Sequence, residues 1–256
     1  MILKPTKFRL PIKGHWGTKG LVACFLFNDS PPLLGKTLDV SGNRNNGTLF
    51  GDTHVVAGKF GPALSFDGND DYTRAILNGT ALTKFTIEFW VYPMGAETSK
   101  GIFQWANALT STEPWLLLQR NAPTTVRWYL NGNYQISNIP VSDNKWYHFV
   151  LTYNGTTATA YTNGISSGTY AGGITTQQAS ALYVYFGNGY NGYFNGLFDK
   201  ASIYNRGVTA AEVAELYAES FCMFDRERIE LWSQGAPPSG LSIPVAMRYY
   251  RNRRVA

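Results

Sequence analysis

Apolar and polar residues alternate with period two in short runs along most of the chain, the signature of half-buried β-strands. In Lys84–Pro93, Phe85, Ile87, Phe89 and Val91 fall on one side and Thr86, Glu88, Trp90 and Tyr92 on the other. In Lys145–Tyr153, Tyr147, Phe149, Leu151 and Tyr153 share a side. Further runs are Leu21–Phe27, Ala63–Phe66, Tyr72–Leu77, Ile102–Trp105, Trp115–Gln119, Val126–Leu130, Thr157–Thr162, Leu182–Phe186 and Gly196–Tyr204. Asn-Gly pairs punctuate them at Asn46, Asn78, Asn131, Asn154, Asn163, Asn188, Asn191 and Asn195, and this pair favours hairpin turns with positive φ. About a dozen short antiparallel strands of this kind predict an all-β, two-sheet sandwich. One helix is expected over 209–218. Thr209 and Glu212 form a capping box, and Val213, Leu216 and Tyr217 make an apolar stripe.

Composition supports this reading. Of 256 residues, 44% are hydrophobic, only 15% are charged and 26 are glycine. A disordered polyelectrolyte, a coiled coil and a disulfide scaffold are thereby excluded. Cys24 and Cys222 read by default as two buried free thiols, with a single disulfide as the alternative. With no CxxC pair and only His15, His54 and His148, no structural zinc site is expected. Leu21–Phe27 is the longest apolar run, too short to cross a membrane. The first residues lack the apolar stretch of a signal peptide.

The net charge of +5 belongs to the ends. Residues 1–20 carry five bases and no acid, and Met247–Ala256 carries four arginines. The sequence divides into a basic N-terminal arm (1–19), a β domain (20–218) and a C-terminal tail (219–256). Nucleic acid is not the expected partner, because no RNA- or DNA-binding motif accompanies the arginines.

Four ordered segments carry a resemblance. They are Gly20–Phe27 with Asp39–Gly47; Gly58–Gly68 with Asp70–Tyr72; Phe85–Pro93 with Trp146–Tyr153; and Phe194–Arg206 followed by the capped helix. Together they resemble the laminin-G-like jelly rolls of the concanavalin A-like lectin/glucanase superfamily. The flanks His15–Gly20 and Tyr217–Phe224 are similar to laminin-G-like proteins encoded by bacteriophages. The resemblance implies an antiparallel jelly-roll sandwich with one short C-terminal helix and extended terminal arms. It also implies a structural Ca²⁺ held by Asp39, Asn43 and Asp199. Two departures stand against that site: Asn46 replaces a common His, and Lys200 replaces the Glu after the Asp. Asp67, Asp70 and Asp71 form a second acidic group, which reads as turn hydrogen bonding.

Glycans stack on aromatic faces, and the candidates here are Trp128, Tyr134, Tyr183, Tyr185, Tyr190 and Tyr193. Catalysis is not expected. Glycoside hydrolysis needs two carboxylates at a set separation, and Glu88 stands alone on its strand. The resemblance of the flanks implies a non-enzymatic structural or surface protein of a virion: capsid decoration, fibre or tail. Cell-surface glycan is a candidate ligand, and copies of the chain or other virion proteins are candidate partners. Its assembly residues are expected to be Trp16, Phe221, Phe224, Trp232, Arg248, Arg251, Arg253 and Arg254. A free carbohydrate-binding module is the alternative, and a divergent glycosidase a more distant one.

Overall fold

A computed structural model describes residues 4, 11–28, 35–78, 82–95, 98–106, 116–130, 132–174, 181–189 and 192–224. Tyr190, Trp232, Arg248, Arg251, Arg253 and Arg254 lie outside the described residues. The chain divides into two units, Met1–Asp225 and Arg226–Ala256, and only the first contains described residues.

In chain order the strands are β1 (Leu21–Phe25), β2 (Lys36–Thr37), β3 (Gly47–Phe50), β4 (His54–Ala57), β5 (Pro62–Asp67), β6 (Tyr72–Asn78), β7 (Phe85–Pro93), β8 (Lys100–Ala106), β9 (Leu116–Ala122), β10 (Thr125–Leu130), β11 (Asn133–Pro140), β12 (Tyr147–Tyr153), β13 (Thr157–Thr162), β14 (Ile165–Ala171), β15 (Ala181–Phe186), β16 (Asn188–Gly189), β17 (Gly192–Tyr193) and β18 (Asn195–Tyr204). They form two eight-stranded sheets, all of whose pairings are antiparallel. The first runs β14-β13-β12-β7-β18-β5-β4, with β1 also on β18. The second runs β11-β10-β9-β8-β15-β6-β3-β2. Strands β16 and β17 form a small separate hairpin.

The alternation seen in the sequence builds the core between the sheets. Phe85, Ile87, Phe89 and Val91 of β7 point inward and meet the inward residues of the second sheet. Phe89 stacks on Phe103 at 5.5 Å, and Phe85 meets Trp105 edge-on at 5.5 Å. Offset and edge-on ring pairs add to the apolar burial that drives sandwich folding.

The other face of the first sheet is buried as well. A second apolar cluster covers it, containing Trp90, Val150 and Tyr204 from the sheet with Val213, Leu216, Phe221, Met223 and Phe224. Val213 and Leu216 come from α1 (Ala210–Ala218), the one α-helix among the described residues. Its start is fixed as expected. Glu212 N–H donates to Thr209 Oγ1, and Thr209 N–H donates to Glu212 Oε2 at 2.7 Å. The Arg206 guanidinium clamps the same carboxylate at 2.8 and 2.9 Å.

This cover corrects the reading of two assembly residues. Phe221 and Phe224 are 7% and 3% exposed, and their apolar surface is spent within this chain, because the sheet they cover would otherwise present bare aromatics to water. Trp16 packs against the same cluster but stays half-buried. Lys4, residues 11–19 and residues 219–224 are therefore part of the packed unit. Pro11 bridges to Phe224, and Lys4 N–H donates to Phe60 O at 3.0 Å.

Candidate functional site

The predicted calcium residues are all engaged in other contacts. The Asp39 carboxylate accepts four hydrogen bonds. Oδ1 takes Cys24 N–H and Ser41 N–H, and Oδ2 takes Ser41 Oγ–H and Asn45 N–H, each at 2.9 Å. A carboxylate has about four lone-pair positions, so none is left for a metal. Asn43 turns its amide to the Leu21 and Val22 carbonyls at 3.0 Å. Asp199 is fully buried, and its Oδ1 lies 2.8 Å from the Lys4 ammonium. The chain itself supplies the cation at that oxygen. As folded, these three residues do not fit Ca²⁺. Asp39 is instead the knot of the 39–47 loop. Asp39→Ala is expected to destabilise the fold by about 2–4 kcal/mol, since it orphans several N–H donors, and equally with added Ca²⁺ or chelator. A urea melt under both conditions checks this.

A second polar group lies under α1. Glu88 Oε1 accepts from Lys200 Nζ at 2.7 Å and from His148 Nε2 at 3.3 Å, and all three side chains are fully buried. Burial pushes the Glu88 carboxyl up, but Lys200 and His148 together outweigh it and hold it down at about 2. Burial also pushes the His148 ring down, against the pull of Glu88, and keeps it neutral. Trp90, His148 and Tyr217 form a cluster of three rings, 4.9 Å (Trp90–His148), 5.6 Å (Trp90–Tyr217) and 6.0 Å (His148–Tyr217) apart, and Trp90 Nε1–H donates to Ser220 Oγ at 2.9 Å. No substrate reaches this triad, so it anchors the fold. Both cysteines are free. Burial raises Cys24 to about 12 and Cys222 to about 11, so neither is a reactive thiolate.

His15, Glu215 and Cys222 bring ligand atoms within 4.8 Å of one another, a grouping the sequence spacing hides. His15 Nδ1 accepts the Gly17 N–H at 3.0 Å, which leaves the neutral ring's proton on Nε2. With its thiol protonated too, the group is a poor metal site.

The outer face of the second sheet is different. Its inward residues include Ala75, Leu77, Val184, Phe186, Phe103, Trp105, Leu116, Leu118, Trp128 and Leu130. Their alternates therefore point outward. In register, one outward row reads Lys36, Thr48, Arg74, Tyr185, Gln104, Leu117, Tyr129, Tyr134, one residue from each strand of the sheet. At a strand spacing of about 4.8 Å, Arg74 and Tyr134 stand about 24 Å apart.

Each end of the row carries an arginine among aromatics. At one end Phe50 and Tyr72 stack at 4.3 Å and 3°, with the Arg74 guanidinium 4.8 Å over Phe50. Tyr185 and Tyr193 flank Tyr72 at 6.1 and 6.0 Å. At the other end Arg127 lies 3.4 Å from the Tyr134 ring centre, and Tyr129 meets Tyr134 edge-on at 5.1 Å. Arg127 also donates twice to Gln119 Oε1, at 3.0 and 2.8 Å. Among the described residues neither guanidinium has a carboxylate partner. Burial raises the Tyr72 and Tyr185 phenols against the pull of Arg74, so both remain neutral O–H groups.

The β16–β17 hairpin folds over the middle of this face. Gly189 packs directly on Gly101, where no side chain fits: a Cβ on Gly101 would lie 2.5 Å from Gly189 N. Beneath it Tyr185, Gln104 and Leu117 are 5%, 6% and 1% exposed. Gln104 Oε1 is buried and accepts no hydrogen bond.

Of the predicted glycan residues, Tyr134, Tyr183, Tyr185 and Tyr193 lie on this sheet or the hairpin over it, and Tyr183 and Tyr185 face away from the core as expected. Trp128 is a correction. It is fully buried and packs 6.4 Å from Phe89, because β10 turns Val126, Trp128 and Leu130 inward. Phe50, Tyr72, Arg74 and Gln104 were missed. Only strand register brings them together, and the period-two pattern of Tyr72, Arg74 and Ile76 opposite Ala75 and Leu77 was the available signal.

Against curated protein sequences the chain gives no match. Solved structures share its fold. Domain 4 of the GH43 extracellular arabinanase AbnA from Geobacillus stearothermophilus, in complex with arabinotriose, is 20% identical with a TM-score of 0.57, covering 77% of this chain and 98% of that one. The binding domain of Paraclostridial Mosquitocidal Protein 1 is 19% identical with a TM-score of 0.58, covering 77% and 52%. Trypanosoma rangeli sialidase in complex with the inhibitor DANA is 14% identical with a TM-score of 0.63, covering 80% and 34%. The chain thus spans about half of the toxin domain and a third of the sialidase. Residues 67–214 match a laminin G family model. That is more than half of the chain, and the protein therefore belongs to the concanavalin A-like lectin/glucanases superfamily.

Proposed function

We propose that this chain is a non-enzymatic, lectin-like module that binds an oligosaccharide on the outer face of its second sheet and presents that face from a virion. The single observation that carries the ligand reading is the contrast between the two sheets. One outer face is sealed by α1 and residues 220–224, while the other is crossed by a row of arginine, tyrosine and amide side chains. Tyrosine and guanidinium planes stack on sugar rings, and N–H and O–H groups bond their hydroxyls. The two arginine–aromatic clusters, about 24 Å apart, suit several linked sugars better than one. The arabinanase domain, of like fold, is held in complex with arabinotriose. The row itself contains no carboxylate, which favours binding over hydrolysis.

The test is a glycan array on the full chain, followed by calorimetry with the best oligosaccharide. Arg74→Ala and Tyr72→Ala are expected to weaken binding about 10–100-fold, the loss of one or two charge-assisted or stacked contacts. Unchanged affinity in both variants contradicts the assignment. Virion display rests on the likeness of the flanks to phage-encoded proteins and on the four arginines of 247–256. Deleting 247–256 should lower the chain's content in purified particles; full incorporation of the truncated chain, or absence of the intact one from particles, would leave a free binding module.

A further inference from the structure

Two loops at one end of the sandwich bring four carboxylates together. Asp52 follows β3, Asp67 ends β5, and Asp70 and Asp71 precede β6. One oxygen from each lies within 4.8 Å of those of the others. Asp71 is fully buried. Its Oδ2 accepts the Asp67 N–H at 3.0 Å, but its Oδ1 is buried and accepts no hydrogen bond. A buried carboxylate oxygen without a donor is costly unless a cation or proton meets it. Among the described residues, no lysine, arginine or histidine pairs with any of the four.

The geometry fits a cation. Two oxygens bound to one Ca²⁺ at about 2.4 Å are at most about 4.8 Å apart. The donors are all hard oxygens, which suit Ca²⁺ rather than zinc. Asp67 is held for the purpose: Asn69 donates its N–H to Oδ1 at 2.8 Å and its amide to Oδ2 at 2.6 Å, leaving further lone pairs on each oxygen. Gly51, at φ 69°, keeps the cradle open, since a Cβ there would run into Asp71 Oδ1 and come 2.9 Å from Asp70 Oδ1.

We propose that Asp52, Asp67, Asp70 and Asp71 form a Ca²⁺ site, with the buried Asp71 Oδ1 as its innermost ligand. This is a different place from the 39–47 loop. The sequence alone reads the Asp67–Asp71 segment as turn hydrogen bonding; Asp52 and the orphaned oxygen appear only in the fold. The site joins the end of β3 to the start of β6, directly beside the stacked Phe50 and Tyr72. The cation would fix two loops at the edge of the sugar-binding face; that consequence rests on the proposed function, while the metal site itself does not.

The test uses the full chain stripped with chelator. Calorimetric titration with CaCl₂ should show one ion bound per chain. Tb³⁺ should luminesce on excitation of tyrosine, because Tyr72 adjoins the site. Asp71→Asn should weaken Ca²⁺ at least about tenfold, in line with the dependence of affinity on ligand charge. Asp52 and Asp70 are exposed, so Asp52→Asn and Asp70→Asn should do the same in chains that fold normally, as circular dichroism would show. Glu215→Gln, in the other cluster, should change nothing. No binding up to about 10 mM, beyond the weakest extracellular sites, would overturn the site and leave a proton shared between Asp52 and Asp71 as the relief of their repulsion. Binding that survives both Asp52→Asn and Asp70→Asn would overturn it equally.

Discussion

Replacing Glu88 with Ala should cost the fold about 3–5 kcal/mol, the largest loss expected from any single substitution here. The Lys200 ammonium would remain fully buried with its carboxylate gone. Removing both charges should cost far less: Glu88→Leu with Lys200→Met leaves no buried ion and fills similar volume. A urea melt of the three proteins measures the difference. A cost under about 1 kcal/mol for Glu88→Ala would mean that Lys200 reaches water, which contradicts a sealed cover over the first sheet. The same triad sets an acid dependence. Glu88 is held at about 2 against an ordinary 4.5, so its contribution is present above pH 4.5 and is lost as the pH falls toward 2. His148 is depressed below its ordinary 6.5. The unfolded chain therefore takes up that proton first, and stability begins to fall as the pH drops below 6.5. Both effects run the same way, so stability should rise with pH across this window. His148→Phe should remove the upper part of the slope.

Gly101→Ala should be felt in two measurements, stability and ligand binding. The added methyl meets Gly189 N at 2.5 Å, and backbone cannot rotate out of the way as a flexible side chain can. Overpacking of this kind costs about 1–3 kcal/mol. The strain is relieved if the β16–β17 hairpin lifts from β8. That movement carries Tyr193 from its place 6.0 Å from Tyr72 and uncovers Gln104 and Leu117. Oligosaccharide affinity should fall with stability. A Gly101→Ala protein that is destabilised yet binds normally would show that the hairpin is no part of the ligand site.

The two-sheet sandwich was legible because central strands obey strict alternation. β7 and β12 could be read residue by residue. The edge strands β11 and β14 were not read, since an edge needs little apolar surface and their sequences, Asn133–Pro140 and Ile165–Ala171, are largely polar. Asn-Gly was a weaker guide than it looked. Asn163-Gly164 makes the expected turn between β13 and β14, with φ 53° and 80°. Asn188-Gly189 instead lies in a strand, where its glycine permits the close approach to Gly101. The capping box placed α1 correctly, but nothing in its stripe announced that it would lie over Glu88, Lys200 and His148. Those three are 112 and 60 positions apart, and only the pairing of β18 and β12 with β7 assembles them. The candidate ligand face was half visible. Tyr183 and Tyr185 show on one strand, whereas Arg74 and Gln104 join them only through register across three strands.

Hydrogen–deuterium exchange of the full chain, with and without its best-bound oligosaccharide, tests the ligand face most directly. Protection on binding should appear in β6, β15 and the β16–β17 hairpin, and should vanish in Arg74→Ala at the same ligand concentration. Protection confined to the outer face of the first sheet or to the 39–47 loop would place the ligand elsewhere and contradict the account.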